Sequence, residues 1–367
     1  MKVLIVAFHP RTMTPYSRLY EESVIESGNE YDIVFWDRFR NGALEKVGNE
    51  YIIHRICTLG GNKLKKIPAF FAFRKAVKKI IEDGKYDRIV ILNTMPGILL
   101  SDILIEKYKN RFILDIRDYT YEKYDFYRNR VNLLIDNSFF STISSPAFCQ
   151  FLKRERSDRL LLNHNITNES KRVGSCRDLK FLREWNIGFV GAVRHEKENE
   201  NILDEFRNDK RFKFSYYGVF NNGCRLDSYC QKHNVENVRF YGAFDNTDKP
   251  NIYESIDIIN SVYESQTFGE GYSVPNRLYD AILFKKPMIV FEDTYIAQIV
   301  QKYKLGLVVK KYGHVKNELL QYVSNFDKEE FNQICEGLLC KVDQDQNLLR
   351  GKLYAFMIGE DGKIKMD

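Results

Sequence analysis

Short apolar segments alternate with longer amphipathic segments along the first half of the chain. The apolar segments have the length and β-branched content of buried strands, and the segments between them repeat apolar residues at helical spacing. Strands are predicted at residues 2–8, 31–37, 51–56, 86–93, 111–116, 139–144 and 159–163, and helices at 16–27, 69–83, 98–109, 124–137 and 146–154. This alternation predicts a parallel sheet with helices on both faces.

The pattern stops at a polar segment, residues 164–184, and then starts again. Further strands are predicted at 185–191, 213–218, 238–241, 257–262, 287–291 and 306–309, before a long helical stretch at 328–357. We therefore predict two tandem Rossmann-like, doubly wound α/β domains, with the active site in the cleft between them. The predicted divisions are a first domain at 1–165, a linker at 166–184, a second domain at 185–345, and a C-terminal helix and tail at 346–367, for which packing back on the first domain is one option.

The amino-acid composition narrows the class of protein to which the chain can belong. The chain has 367 residues, of which 44% are hydrophobic and 14% aromatic, as in ordinary globular proteins. The apolar N-terminus is too short for a signal peptide, and no apolar run approaches the roughly 18 residues of a membrane span. The seven cysteines include no close CxxC pair and show no zinc-ligand spacing with histidine, which favours free thiols. We expect a cytoplasmic protein, with attachment to the inner face of the membrane as an open alternative.

The charge is unevenly distributed. Residues 1–165 hold 27 Lys and Arg against 20 Asp and Glu, whereas residues 166–367 hold 29 against 30, so the net charge of +6 arises in the first half. Such a balance indicates an anionic partner: phospholipid, a phosphorylated substrate or nucleic acid. Within this half, residues 63–79 contain seven basic residues, no acid and three phenylalanines: Lys63, Lys65, Lys66, Arg74, Lys75, Lys78, Lys79, Phe70, Phe71 and Phe73. They form either an ordinary helix with a solvated lysine face or a contact with an anionic membrane surface.

Polar residues at predicted strand ends are the candidate ligands of the first domain, because open parallel sheets bind ligands at the carboxyl ends of their strands. His9 follows the first strand and either faces a substrate or forms part of an ordinary loop. Asp115, Arg117 and Asp118 follow another strand. They either pair internally, since burying an unpaired charge is costly, or place Arg117 and a carboxylate against an acceptor or transferring sugar.

In the second half, Gly191 ends a strand and the following helix begins near Arg194 and Lys197. A helix N-terminus attracts anions, and two basic side chains add full charges to it. This segment predicts a diphosphate site, with solvated surface residues as the alternative.

Residues 268–291 have the most specific pattern: a glycine loop, a short helix and a strand. The helix places Asn276 and Asp280 one turn apart, and a carboxylate there either faces solvent or accepts both hydroxyls of a ribose. The candidate donor-binding residues of this segment are Glu270, Gly271, Tyr272, Ser273, Asn276, Arg277 and Asp280.

This segment resembles the donor half of the GT-B glycosyltransferases, particularly the retaining family called glycosyltransferase group 1 (family 4-like). Members show a Ser-x-Pro-x-Lys/Arg-hydrophobic-x-acid pattern followed by Gly-Lys-Pro. The matching residues here are Ser273, Pro275, Arg277, Leu278, Asp280, Lys286 and Pro287. The family's phosphate loop matches Gly191 and Lys197 in spacing, and Asp115–Asp118 and Leu162–Asn165 resemble its N-domain segments.

The resemblance implies transfer of a sugar from a nucleotide-diphosphate sugar to a saccharide or lipid-linked saccharide, in bacterial surface polysaccharide biosynthesis. It implies no cofactor, no metal and no nucleic-acid partner. Arg194 and Lys197 would stabilise the departing diphosphate, and Asp118 is the candidate base if the reaction inverts configuration. His9 and Arg117 would contact the acceptor.

Two departures from the family pattern leave alternatives open. The family's glutamate pair is replaced, since Tyr272 occupies the first position, with Glu270 two residues earlier, and Asp280 occupies the second. Lys285 also replaces the glycine before Lys-Pro. A sugar-nucleotide 2-epimerase of the same fold and a catalytically silent nucleotide-sugar-binding protein are the competing interpretations.

Overall fold

The computed structural model describes residues 1–57, 64–164, 166, 174–221, 223–263, 270–310 and 312–359, except the side chain of Glu270. The description therefore leaves out Lys63, residue 165 at the end of the predicted first domain, residues 167–173 of the predicted linker and residues 360–367 of the predicted tail. The chain divides into two compact units, Met1–His164 with Gln344–Asp367 (unit 1) and Asn165–Asp343 (unit 2).

Unit 1 is built on one eight-stranded sheet. Its strands are β1 (Lys2–Val6), β2 (Glu30–Asp37), β3 (Glu45–Val47), β4 (Glu50–His54), β5 (Arg88–Leu92), β6 (Phe112–Ile116), β7 (Phe140–Ile143) and β8 (Leu160–Leu162). The strand order is β3-β4-β2-β1-β5-β6-β7-β8. Its helices are α1 (Ser17–Glu26), α2 (Ile67–Gly84), α3 (Thr94–Leu99), α4 (Ser101–Lys107), α5 (Asp125–Asn137) and α6 (Phe148–Leu152).

Two local features of unit 1 differ from the pattern-based prediction. Strand β3 pairs antiparallel with β4 through a tight turn, with Gly48 at a φ of 59°. The helix predicted at 98–109 is two helices, α3 and α4, of which α3 starts at Thr94 and has Pro96 in its first turn. Proline is compatible with a first helical turn because the missing N–H would have no helical partner there.

Unit 2 is built on a six-stranded parallel sheet. Its strands are β9 (Trp185–Val190), β10 (Phe212–Tyr217), β11 (Val238–Gly242), β12 (Ile258–Ser261), β13 (Met288–Phe291) and β14 (Gly306–Val309), in the order β11-β10-β9-β12-β13-β14. Its helices are α7 (Glu196–Glu205), α8 (Leu226–Lys232), α9 (Lys249–Ser255), α10 (Asn276–Leu283), α11 (Tyr295–Lys302) and α12 (Val315–Ser324), followed by α13 (Lys328–Ile358). Two Rossmann-like α/β domains are therefore confirmed.

In each sheet the chain first adds strands on one side of its first strand and then crosses over to add strands on the other side. In unit 1 this switch point lies between β1 and β5, and in unit 2 it lies between β9 and β12. Right-handed crossovers on either side of such a point lie on opposite faces, which opens a crevice at the carboxyl ends of the two strands. These two edges are where ligands are expected.

Each unit has its own apolar core. The core of unit 2 contains strand residues such as Ile187, Phe214 and Ile289. In unit 1, Val3, Ile5 and Val90 pack with four residues from the end of α13: Leu349, Leu353, Phe356 and Met357. Helix α13 thus begins in unit 2 and completes the core of unit 1.

Two further observations bear on the sequence predictions. No two of the seven cysteines form a disulfide, as expected from their spacing. Among the described residues, no helix combines the length and the apolar composition that crossing a membrane requires.

Candidate active site

Two glycines shape the carboxyl edge of the sheet in unit 2. Gly191 follows β9 with a φ of 127°, and Gly218 follows β10 with a φ of 141°. A Cβ atom on Gly218 would lie 1.9 Å from the carbonyl oxygen of Gly191, so no larger residue fits there. The backbone at Gly191 is thereby held close to the end of β10, with the Gly191 N–H donating to the Tyr217 carbonyl at 2.8 Å.

Arg277, on the first turn of α10, reaches the switch point between β9 and β12. Its Nε donates to Ser261 Oγ at 3.1 Å, and its Nη1 donates to the Val190 carbonyl at 3.3 Å. Its guanidinium lies 4.2 Å from the centroid of the Phe189 ring. Burial lowers the pKa of Arg277, and the positive charge of Arg194 acts in the same direction. Among the described residues, no carboxylate forms an ion pair with Arg277.

Arg194 and Lys197 both lie on the surface of unit 2 beside this edge. Both side chains are exposed, and His195 between them has a φ of 61° at the start of α7. The Asn199 amide fixes this turn by donating to the carbonyls of Arg194 and His195 at 3.0 and 2.8 Å. The first turn of α7 also carries Glu196 and Glu198, which weaken its attraction for an anion. The charge of Arg194 acts on Arg277, which makes Arg194 the stronger candidate of the two.

Asp280 is buried in unit 2 and has protein partners. It is 6% exposed, and Lys249 Nζ donates to both of its carboxylate oxygens at 3.1 Å. Tyr253 Oη donates to Oδ2 at 2.9 Å, and burial raises the pKa of Tyr253 well above its ordinary value. The solvent-facing alternative for Asp280 is therefore wrong. A carboxylate has about four acceptor positions, so these three contacts leave little capacity for two ribose hydroxyls unless Lys249 moves.

The rest of the donor segment is only partly described. Residues 268 and 269 of the glycine loop and the side chain of Glu270 lie outside the description. Gly271, Tyr272 and Ser273 are half-buried before α10, and Asn276 is exposed at the first position of that helix. Asn276 and Asp280 are one turn apart, as predicted, but only Asp280 is buried.

In unit 1, Arg117 forms the internal pair that was one of its two predicted roles. Its Nε donates to Asp115 Oδ2 at 2.8 Å, and both side chains are buried. Thr142 Oγ1 donates to the other oxygen of Asp115 at 2.6 Å, and the guanidinium stacks 5.0 Å from the Tyr16 ring. Contact between Arg117 and an acceptor stays a prediction, and the pair shows how the strand end is held rigid.

Asp118 and His9 remain candidates for contact with a substrate. Asp118 is exposed, its carboxylate has no hydrogen-bond partner among the described residues, and partial desolvation of that carboxylate raises its pKa. His9 is half-buried, and its Nδ1 has no hydrogen-bond partner within the described part of the chain. Burial and the charge of Arg38 lower the pKa of His9 to about 4.

No cluster of three or more His, Cys, Asp or Glu side chains that could hold a metal ion is present among the described residues. The sequence Asp343-Gln344-Asp345 matches a DxD motif only in its letters. Asp345 lies on α13 and pairs with Arg156 at 3.0 Å and with His164 at 3.1 Å, so it serves as an internal contact of unit 1.

The structure thus brings Gly191 and Arg277 together in unit 2 and sets Asp280 in a buried ion pair. Four contributors were not identified from the sequence: Ser261, Asn199, Lys249 and Tyr253. They lie 4 to 31 residues from their partners and follow no local motif, and only the position of Ser261 at a strand end was a usable signal.

Comparison with known proteins finds similarity in structure alone. No known family profile matches the sequence, and no curated protein does. A sucrose-phosphate synthase from Thermosynechococcus elongatus has a TM-score of 0.67 at 14% identity, covering 98% of both chains. The lipopolysaccharide outer core galactosyltransferase WaaB has a TM-score of 0.63 at 11% identity, covering 98% of this chain and 100% of that one. Anabaena HepE, solved with UDP and glucose, has a TM-score of 0.60 at 13% identity, covering 98% of each chain.

Proposed function

We propose that this chain, which has the fold of the GT-B glycosyltransferases, transfers a sugar from a nucleotide-diphosphate donor to a saccharide or lipid-linked saccharide. The observation that carries the proposal is Arg277, a half-buried guanidinium with no carboxylate partner among the described residues, at the switch point of the sheet in unit 2. Removing a charge from water is costly unless it is paired, and an anionic ligand would offset the desolvation of this half-buried guanidinium. A diphosphate supplies such an anion.

The chemistry of glycosyl transfer needs a cation at this place. Negative charge develops on the departing diphosphate as the bond to the anomeric carbon breaks, and positioned donors stabilise that charge without reorganisation. Arg277 is held in position by Ser261, Val190 and Phe189, and Arg194 adds a second positive charge nearby. We propose that these side chains replace a metal ion in stabilising the leaving group.

Unit 1 would bind the acceptor. His9 and Asp118 lie after β1 and β6, at the carboxyl edge where open sheets bind ligands. In a retaining reaction, which the family resemblance implies, no protein base is strictly needed. In an inverting reaction the raised pKa of Asp118 makes its carboxylate a better acceptor for the proton of the attacking hydroxyl.

The solved structures with this fold guide the choice of substrate. HepE was solved with UDP-glucose and WaaB is a lipopolysaccharide galactosyltransferase. By analogy we propose a nucleotide-diphosphate hexose as donor and a role in bacterial surface polysaccharide synthesis in the cytoplasm. Fold analogy is the support for this choice, because function is located in the site and not in the fold.

The test combines binding with product analysis. A panel of UDP, GDP, ADP and dTDP should contain one nucleotide that raises the melting temperature, since a ligand of the folded state stabilises it. The corresponding sugar nucleotide is then incubated alone and with saccharide acceptors. Transfer only with an acceptor supports the proposal. A new sugar nucleotide formed without acceptor identifies an epimerase, and binding without any turnover identifies a silent binding protein.

Arg194→Ala should weaken donor binding and slow transfer more than Lys197→Ala does. The loss of one charge-assisted contact corresponds to about 1.5–3 kcal/mol, or roughly 10- to 100-fold in affinity. Lys197 lies further along α7, beside Glu196 and Glu198. Steady-state kinetics with and without EDTA check this, with Lys210→Ala, an exposed lysine of the same unit, as control. Equal activity of wild type and Arg194→Ala would exclude Arg194 from the diphosphate site. Loss of wild-type activity in EDTA would show that the reaction needs a metal ion.

A second partner that we propose is an anionic membrane surface bound by the start of α2. Three phenylalanines were predicted to interleave with the lysines. Phe73 is buried, and the ring centroid of Phe70 lies 6.0 Å from that of Trp36. Of the three, only Phe71 is exposed. Ile67, four residues before Phe71 on the same face of α2, is also exposed, and so is Leu64 in the 3-10 turn that precedes the helix. Exposed apolar side chains beside lysines suit the interface of an anionic bilayer.

Vesicle co-sedimentation tests this surface. The wild type should bind vesicles that contain phosphatidylglycerol and should bind neutral phosphatidylcholine vesicles much less. The double substitution Leu64→Ser and Phe71→Ser should release the protein without loss of stability, because neither residue is in the core. Phe126→Ser, which removes an equally exposed phenylalanine from α5, is the matched control. Equal binding to both vesicle types, or no effect of the double substitution, would refute the membrane proposal.

A further inference from the structure

A buried arginine that pairs with no acid in the described part of the chain lies at the carboxyl end of β2 in unit 1. Arg38 is 6% exposed, and its Nε donates to the Cys57 carbonyl at 3.0 Å while Nη2 contacts Cys57 Sγ at 3.2 Å. Its guanidinium lies 4.9 Å from the Trp36 ring centroid and 5.5 Å from that of Phe8. Among the described residues it pairs with no carboxylate, since neighbouring Asp37 binds Arg40 and His54 instead. Residues 58–63, outside the description, include no acid.

The hydrogen-bonding capacity of Arg38 is only partly used. A guanidinium has five N–H donors, and Cys57 engages two of them. The aromatic rings stabilise the cation by about 1–2 kcal/mol, which does not replace a counter-ion in a buried position. The remaining donors therefore suit an oxyanion, which the planar fork of arginine binds through two parallel hydrogen bonds.

His9 supplies a second, independent observation at the same edge of the sheet. It follows β1, which pairs in parallel with β2, and its Nδ1 is buried without a hydrogen-bond partner among the described residues. Buried polar atoms are nearly always satisfied, so an unsatisfied nitrogen at a ligand-binding edge indicates a missing partner. Arg38 lies close enough for its charge to lower the pKa of His9, so at neutral pH the imidazole is uncharged and has one N–H to donate.

We propose that Arg38 and His9 bind an oxyanion, a phosphate or a carboxylate, carried by the acceptor saccharide. The inference rests on the proposed function for the identity of the ligand as an acceptor, but the anion site itself rests on these two residues. A single ligand group would accept from the donors of Arg38 that Cys57 leaves open and would partner His9 Nδ1, and it agrees with the positive charge of the first half of the chain. The acceptor is therefore an acidic sugar or a sugar phosphate, and not a neutral saccharide.

The experiment titrates the full-length protein with glucose 6-phosphate, glucuronic acid, inorganic phosphate and glucose, and follows the imidazole signals of His9 by NMR. His9→Gln assigns those signals. An anion beside His9 opposes the effect of Arg38, so the pKa of His9 should rise from about 4 in the presence of an anionic sugar and stay unchanged with glucose. A response to glucose 6-phosphate or to glucuronic acid alone decides between phosphate and carboxylate.

Substitutions provide the matched control. Arg38→Met should reduce affinity for the anionic sugar by at least about 10-fold, the loss of one charge-assisted contact. Arg40→Met removes an exposed arginine two residues away and should leave that affinity unchanged. If Arg38→Met fails to fold, the response of His9 in the wild type still decides the question.

The outcomes separate this inference from the proposed function. The same samples are tested with the nucleotide that stabilises the wild type. Nucleotide binding with no response of His9 to any anion overturns the anion site and leaves the donor site standing. A response of His9 without any nucleotide binding supports the anion site and overturns the glycosyltransferase. A response to inorganic phosphate but to neither acidic sugar overturns the acceptor assignment.

Discussion

Replacing Arg277 by Met is expected to remove most of the affinity for nucleoside diphosphate while leaving the free protein about as stable as the wild type. Two charge-assisted hydrogen bonds to a phosphate group correspond to about 3 kcal/mol or more, a loss on the order of 100-fold. The stability should hardly change, because removing a half-buried charge that has no acidic partner among the described residues offsets the lost contacts with Ser261 and Val190. Calorimetric titration and thermal unfolding measure the two effects separately.

The control is Arg183→Met, which removes an exposed arginine of the same unit and should change neither quantity. Arg277→Lys should be intermediate, because a lysine keeps the charge but lacks the planar fork. If Arg277→Met lowers the melting temperature strongly and keeps its affinity for the nucleotide, Arg277 is a structural residue of the sheet edge. The donor site would then have to be sought elsewhere.

Asp280→Asn is the second substitution with a large expected effect, and here stability and binding should fall together. The change leaves Lys249, whose side chain is 13% exposed, without its carboxylate, and breaking a buried pair costs up to about 3–5 kcal/mol. A loss of this size lowers the melting temperature by roughly 10 °C in a unit of this size. Thermal unfolding without ligand checks this value. An unchanged melting temperature would contradict the buried pair.

The double variant Asp280→Asn with Lys249→Met separates the two roles of Asp280. Removing both charges should restore much of the stability, because neither side chain is left as an unpaired ion. If Asp280 also binds ribose, the restored protein should still bind nucleoside diphosphate weakly, and inorganic pyrophosphate binding should be unaffected. Wild-type affinity for the nucleotide in the double variant would confine Asp280 to its pair with Lys249 and Tyr253.

The sheet architecture could be predicted because its signal is local. Strands β1, β5 and β6 are continuous apolar runs, as expected for strands buried on both faces, and the order of strands and helices then dictates parallel pairing. Strand β3 was missed although Gly48-Asn49 is a hairpin signal, because its three residues are all exposed and carry no apolar alternation. The start of α3 was missed because Pro96-Gly97 is more typical of a turn.

The candidate site was less predictable, because its contacts join residues far apart in sequence. Arg277 and Asp280 were identified through the order of residues around them. The partner of Asp280, Lys249, is 31 residues away and carries no motif. Arg38 was not singled out at all, since an arginine after a strand is most often solvated, and only its burial makes it unusual. Periodicity reports which face of an element is buried, and it does not report which charges meet there.

Helix α13 also determines the order in which the chain completes its folding during synthesis. Domains generally fold as units, the N-terminal one first as it emerges from the ribosome. In this protein Leu349, Leu353 and Phe356, which close the core of unit 1, are synthesised only after the whole of unit 2. The domain that is made first therefore waits, with part of its core uncovered, until translation has passed through the second. A nascent chain that stalls before Gln344 exposes apolar surface in unit 1, and such surface is what chaperones and proteases recognise.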